Sequence, residues 1–315
     1  MSKPDVLVIH PVRPNAMQQL ETTYTLHRYD LAPDKAAFLA EFGPKCVAIV
    51  TSGHCELTHN HLAYLPNLEL VACSTAGFEA IDLEALTERN IPLTNASAAL
   101  CDDVADTALL LTLASRRQLV AAHHYVASGD WGRKGMYPLL SATRGNKVGI
   151  VGIGMIGQAI ARRFTPLGVE IGYTARSEKS VPYRYFSDVT SLARWSDILV
   201  VIVPGGPATE GLINFAVMAA LGPTGTLVNV SRGSVVDEAA LIEALGGGCL
   251  GSAGLDVYQN EPNPAPALIG LPNVTLYPHH ASGTVETRDA MSQTVVDNLA
   301  AHFAGKPLLN RAKPS

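Results

Sequence analysis

The chain has 315 residues, a formal net charge of −5 at pH 7, 47% hydrophobic residues and only 16% charged ones. That balance excludes a disordered chain or a nucleic-acid coat, since the apolar content supplies a core and no basic stripe is present. The length suits about two domains at roughly 100 to 200 residues each. Cys46, Cys55, Cys73, Cys101 and Cys249 have no C-x-x-C spacing. They are expected to be reduced thiols packed as small core residues of a cytoplasmic protein. The start MSKPDVLVIH enters a strand-like run without a charged-then-apolar leader, and the apolar stretch Ala108 to Ala114 is too short to span a bilayer, so no membrane partner is expected.

In chain order, Val6 to Ile9, Val47 to Val50 and Leu70 to Ser74 read as strands and Leu83 to Arg89 as a helix, an alternation that predicts a parallel sheet covered by helices. Asp102 or Asp103 reads as the cap of a long helix running to about Arg117, and a second helical stretch ends near Gly129 and Trp131. From Lys147 the alternation restarts with six strand candidates: Val148 to Val151, Val169 to Tyr173, Ile198 to Val203, Thr226 to Val230, Gly254 to Val257 and Val274 to Tyr277. The segment Thr287 to Phe303 places Met291, Val295, Leu299 and Phe303 four apart on one helical face that needs a partner surface.

The run VGIVGIGMIGQAIARRF sets Gly152, Gly154 and Gly157 between an apolar strand and an amphipathic helix. In a dinucleotide site the first makes the tight turn, the second admits a pyrophosphate to the backbone and the third allows close helix packing. The following strand ends in GYTARSEK, with Ala175 where NAD sites keep an acid for the ribose hydroxyls. Arg176, Ser177 and Lys179 supply instead a guanidinium, a hydroxyl and an ammonium suited to the 2′-phosphate of NADP, so NADPH is expected over NADH.

Three polar segments at strand ends, NVSRGSVVDEAAL, GLDVYQNEP and YPHHASGT, are expected at the carboxyl edge of the sheet, where open α/β folds bind ligands. Arg232 can bind a carboxylate and polarise a carbonyl, His279 can move a proton and Glu261 can hold the imidazole. His279 and His280 point to opposite faces of an extended chain, so one of them serves the substrate and the other is expected to be a packed, hydrogen-bonded histidine. His123 and His124, on a helix without further ligand spacing, read as structural, and no metal site is expected.

With AIDLEALTERNIPLTN, DDVADTALLLTLASRR and PHHASGTVETR, these motifs make the chain resemble, over nearly its whole length, the D-isomer-specific 2-hydroxyacid dehydrogenases. Within them it is similar to the NADP-dependent glyoxylate/hydroxypyruvate and plant-type hydroxyphenylpyruvate reductases. The resemblance implies an α/β architecture: a Rossmann-type doubly wound parallel sheet over residues 99–286, and a second, flavodoxin-like α/β substrate domain over 1–98 to which the helix of 287–315 returns. It implies reduction of small 2-keto acids to D-2-hydroxy acids, with Arg232, Glu261 and His279 as the catalytic trio. Gly152, Gly154, Met155, Ile156, Gly157, Arg176, Ser177, Lys179, Val203, Pro204, Thr209, Val230 and Asp256 would bind the cofactor, Asp256 by orienting the nicotinamide carboxamide. Ser52, Gly53, Thr75, Ala76 and Gly77, with Arg232 and His279, would bind the substrate, the Thr75–Gly77 loop through backbone N–H groups. Phe78, Trp131, Met136 and Tyr137 would help to shape its pocket. A homodimer through the helices after about Ala98 is implied as well. Aryl-pyruvate reduction, or a corepressor-like nucleotide sensor on the same fold, is the alternative.

Overall fold

The three apolar runs read in the first hundred residues, with two edge strands that the runs do not mark, form five parallel strands in the computed structural model, which describes residues 3–312: β1 Asp5–Val8, β2 Thr25–Arg28, β3 Ala48–Thr51, β4 Leu70–Cys73 and β5 Leu93–Thr94, with β2 and β5 the unmarked edges. Their order is β2-β1-β3-β4-β5, the flavodoxin-like order. Successive residues of a strand face opposite sides. Val6, Val8, Ala48, Val50, Leu70 and Ala72 therefore fill one layer of core while Leu7, Ile49, Val71 and Cys73 fill the other. Met17 and Leu20 of the helix Pro14–Thr23, and Val295 and Leu299 of the last helix, Val285–Phe303, close the first layer. The apolar series read along that last helix thus finds its partner surface on β1, β3 and β4.

The second sheet has seven parallel strands: β6 Lys147–Val151, β7 Glu170–Thr174, β8 Arg184–Phe186, β9 Ile198–Val201, β10 Thr226–Asn229, β11 Ser252–Leu255 and β12 Val274–Leu276. The order β12-β11-β10-β9-β6-β7-β8 reverses between β6 and β9, the doubly wound arrangement of a Rossmann-type domain. Every residue of β9 and β10 is buried, as expected when helices cover both faces. Residues up to Leu100 with those from Ser282 onward form one unit, and Cys101–Ala281 the other.

The structure corrects several local expectations. β8 is a strand that the apolar-run criterion does not find, because it is a three-residue edge strand whose Arg184 guanidinium lies over the rings of Phe186 and Trp195. β11 begins at Ser252 and stops at Leu255, its register set by pairing of Ser252 with Thr226, so Asp256 lies just past the strand end. The long helix is Ser97–Arg116, not capped by Asp102 or Asp103: Asn95 Oδ1 accepts from the Ser97 N–H, and Asp102 lies inside the helix, paired with Arg163. Trp131 belongs to a separate short helix, Asp130–Lys134, that starts at left-handed Gly129. All five cysteines are free, yet Cys249 is exposed rather than packed. Among the described residues no helix is long and apolar enough to cross a membrane.

Two glycines contrast the demands of this packing. A Cβ on Gly233, in the loop after β10, would lie 1.8 Å from the Tyr258 carbonyl oxygen, whereas one on Gly132 would meet nothing within 4 Å. Gly233→Ala is expected to cost about 2 to 3 kcal/mol, read as a lower thermal midpoint. Gly132→Ala, on a helix, should be neutral or stabilising by up to about 1 kcal/mol. Equal midpoints for the two variants would show that the loops after β10 and β11 are not in contact.

Candidate active site

At the end of β6 the backbone turns through Gly152 at φ +101°, where a Cβ would lie 2.5 Å from the Ile202 carbonyl oxygen. Gly157 is forced just as strongly, since its Cβ would come within 2.1 Å of the Gly152 carbonyl oxygen. Gly154 differs: its φ of −70° suits any residue and nothing lies within 4 Å of a Cβ there. The protein itself gives no reason for glycine at 154, whereas close approach of a ligand to the backbone does. The helix Met155–Phe164 starts here without a side-chain cap, so the N–H groups of Met155, Ile156 and Gly157 and the positive helix end are available to an anion. This cradle fits a dinucleotide pyrophosphate.

The neighbouring strand β7 ends at Thr174, and Ala175 follows with no acid. Arg176, Ser177 and Lys179 are exposed, with Lys179 Nζ donating to Ser177 Oγ at 2.8 Å. Their loop is anchored by a residue the sequence reading overlooked. The buried Tyr173 hydroxyl accepts from the Lys179 N–H at 2.8 Å and donates to the Lys179 carbonyl at 3.1 Å. Val203 and Pro204 follow β9, with the Thr209 hydroxyl donating to the Pro204 carbonyl at 2.6 Å, and Val230, buried, follows β10.

The trio lies past the ends of β10, β11 and β12. Asn229, fully buried, builds the first loop: its Oδ1 accepts from the Ser231 N–H and hydroxyl, and its Nδ2 donates to the Arg232 carbonyl. Arg232 Nη1 donates to the Ser231 carbonyl at 2.7 Å. His279 Nδ1 and Glu261 Oε2 are 2.6 Å apart, both side chains about a third exposed. Glu261 Oε1 accepts from the Tyr258 N–H at 2.9 Å. Burial alone would push the Glu261 carboxyl up; the bonds from His279 and Tyr258, with the nearby charges of His279 and Arg232, outweigh it and hold the carboxyl below its usual range. Tyr258 also ties β11 to the strand leading to His279, its hydroxyl bonding the Leu255 and Tyr277 carbonyls and the Tyr277 N–H. Burial pushes that phenol up to about 12, so it stays protonated.

His279 has φ +48°, and Asp256 brackets it: the Asp256 carbonyl accepts from the His279 N–H, and its two carboxylate oxygens accept from the His280 and Ala281 N–H groups at 2.7 and 3.1 Å. Burial pushes the Asp256 carboxyl up, against both of those donors. His280 is exposed, its ring 6.2 Å from that of Tyr277, not the packed and bonded histidine expected; the left-handed turn at 279 breaks the extended chain on which that expectation rested. His123 and His124 are exposed on their helix, and among the described residues no cluster of three or more metal-ligating side chains occurs. A carboxylate-bound imidazole beside an arginine loop can exchange a proton with an oxygen that the guanidinium polarises.

In the other unit, Ser52 is buried with its Oγ accepting from the His54 N–H. The Gly53 N–H is taken by Thr75 Oγ1 at 2.8 Å, so it is not available to a ligand. The N–H groups of Ala76 and Gly77 bond to nothing in the chain among the described residues, so this loop can offer them to an anion. Phe78 and Tyr137 are half-buried, whereas Trp131 and Met136 are largely exposed.

Residues 109–281 match the family model of the D-isomer specific 2-hydroxyacid dehydrogenase, NAD binding domain. A 2-ketogluconate reductase from Gluconobacter oxydans is 42% identical, covering 98% of each chain. A hydroxyphenylpyruvate reductase from Plectranthus scutellarioides is also 42% identical, over 96% of this chain and 97% of its own. An NADPH-dependent glyoxylate/hydroxypyruvate reductase from Sinorhizobium meliloti, solved with NADP and malonate, superposes with a TM-score of 0.88 at 38% identity, over 99% of this chain and 97% of that one. The glycine turn, the strand-end trio and these likenesses agree, and the chain belongs to the D-isomer specific 2-hydroxyacid dehydrogenase family, as an oxidoreductase of its glyoxylate/hydroxypyruvate reductase branch.

Proposed function

We propose that the protein reduces small 2-keto acids of the glyoxylate and hydroxypyruvate type to D-2-hydroxy acids, with NADPH as reductant. The observation that carries this reading is the 2.6 Å contact of His279 with Glu261 at the same sheet edge as the glycine turn. When bound, the reduced nicotinamide supplies a hydride for C2 of the keto acid. His279 gives a proton to the carbonyl oxygen, which becomes the hydroxyl; with Nδ1 committed to Glu261, delivery falls to Nε2. Glu261, kept ionised, stabilises the imidazolium until transfer. Arg232 offers guanidinium N–H groups to the substrate carboxylate and to the oxygen on which charge grows, an interaction worth a few kcal/mol in the transition state. In the other unit, the backbone N–H groups of Ala76 and Gly77 are donors of the kind that a carboxylate accepts from.

Ala175, Arg176, Ser177 and Lys179 support the preference for NADPH, and Val203, Pro204, Thr209, Val230 and Asp256 complete the proposed nucleotide wall. Substrate binding is assigned to the unit of residues up to Leu100 and from Ser282, and nucleotide binding to Cys101–Ala281. A homodimer is part of the proposal. Leu110, Leu113, Leu119, Val120, Val126 and Trp131 stand exposed on three successive helices, an apolar area of the kind that a second copy covers.

His279→Gln is expected to cut kcat for glyoxylate at least about 100-fold while NADPH affinity stays within about twofold. Retained turnover would assign the proton to another group. Arg176→Ala should weaken NADPH about tenfold or more and leave NADH nearly unchanged in fluorescence titration; matching losses for both would remove the phosphate reading. In sedimentation the protein should have twice the chain mass, and Leu119→Asp should give monomers. A monomeric wild type would contradict the proposed pairing.

A further inference from the structure

We infer that the Thr75 hydroxyl is a positioning group, a clasp that fixes the anion-binding turn Ala76–Gly77; the inference rests on the keto-acid reading above. Thr75 Oγ1 accepts from the Gly53 N–H at 2.8 Å and donates to the Gly77 carbonyl at 2.8 Å, with Cys73 Sγ 3.2 Å away. One hydroxyl thus joins the loop after β3 to the loop after β4. Those loops already touch, since a Cβ on Gly53 would lie 1.8 Å from the Gly77 carbonyl oxygen.

The carbonyls of the turn are each engaged: Thr75 O by the Ala96 N–H at 3.0 Å, Ala76 O by Asn95 Nδ2 at 3.1 Å and Gly77 O by Thr75 Oγ1. In a trans peptide the N–H lies opposite the preceding carbonyl, so fixing a carbonyl fixes the next N–H. Ala96 therefore sets the Ala76 N–H, and Asn95 sets the Gly77 N–H. Gly77 has no Cβ to restrict it and would rotate between its two flanking planes unless both were held. Asn95 holds the plane before it and Thr75 the plane after it. The clasp also occupies the Gly53 N–H, which is thereby withheld from a ligand, and the plane it holds after Gly77 carries the Phe78 N–H. A preordered pair of donors binds a carboxylate without the entropy cost of ordering it on contact.

The test compares Thr75→Val, of nearly the same shape, with Thr75→Ser and Thr75→Ala, with thermal midpoints measured for all. Val and Ala are expected to raise KM for glyoxylate about tenfold, in line with loss of a hydrogen-bonded clasp. KM for NADPH should stay within about twofold, and Ser should recover most of the loss. If Val does not fold, the Ser and Ala pair carries the comparison. An unchanged keto-acid KM in Val and Ala overturns the clasp, as does a rise in KM for NADPH of the same size that Ser does not reverse, the mark of general loosening. Calorimetric binding of malonate, a dicarboxylate that is not reduced, separates the clasp from the function. A wild type that reduces no 2-keto acid sinks the keto-acid reading, whereas malonate affinity equal in wild type and Thr75→Val sinks the clasp alone.

Discussion

The carboxylate of Asp256, buried at the end of β11, is the constraint on which the geometry of the trio depends. A non-glycine residue in the left-handed region costs roughly 1 to 2 kcal/mol, and His279 occupies that region at φ +48°. The two N–H groups that follow donate to the Asp256 carboxylate. Hydrogen bonds to a charged group contribute about 1.5 to 3 kcal/mol each, so two of them outweigh the backbone strain. Part of that gain is returned as desolvation, which is why burial pushes this carboxyl up even with both donors present. The balance still favours the turn, and the turn aims the His279 ring at Glu261 instead of continuing the strand.

Around this clamp the loops after β10, β11 and β12 hold one another by backbone contacts. Gly233 admits the Tyr258 carbonyl, the Tyr258 N–H reaches Glu261, and the Tyr258 hydroxyl reaches the strand before His279. Glu261 and His279 are thus each held by a main-chain group of the loop after β11, the Tyr258 N–H and the Asp256 carbonyl. Such support is stiffer than side-chain contact, because a backbone segment cannot change rotamer. The other loops of this sheet edge follow a different rule. At Gly154 the protein leaves open space that its own packing does not require, and beyond β7 it leaves Arg176, Ser177 and Lys179 exposed. Rigid chemistry and open binding surface thus share one edge of a sheet whose order reverses between β6 and β9.

Much of this was legible in the sequence where the signal is collective. Apolar runs marked nine of the twelve strands, where burial made them continuous, and β2, β5 and β8 escaped because each is a short edge strand, which needs no such run. The glycine spacing located the turn after β6, since Gly152 and Gly157 are forced by backbone atoms less than 3 Å away. Residues that act through the backbone of others gave no such pattern. Asn229, Tyr173 and Tyr258 read as ordinary strand-end polar or aromatic residues, and their roles arise from carbonyls and N–H groups that only the folded loops bring to them, three, six and nineteen residues away. The side chain of His280 was misread for the same reason: a positive φ at His279 is a product of tertiary clamping that no local rule announces.

The two proposed anion sites differ in physics as well as in place. The turn Ala76–Gly77 offers neutral N–H groups whose planes are held by Ala96 and Asn95, with Thr75 holding the plane that follows, so its selectivity comes from direction. The Arg176–Lys179 loop offers full charges on exposed, rotatable stems, tethered at one end by Tyr173. Exposed charges are screened over a Debye length of about 8 Å at physiological salt, whereas fixed dipoles act at hydrogen-bond range and are little affected. A 2′-phosphate dianion, met at the rim, suits the first kind of attraction less through shape than through charge. A small planar carboxylate that must present C2 in one orientation requires the second, because a donor pair that can turn would bind the acid without placing its carbonyl.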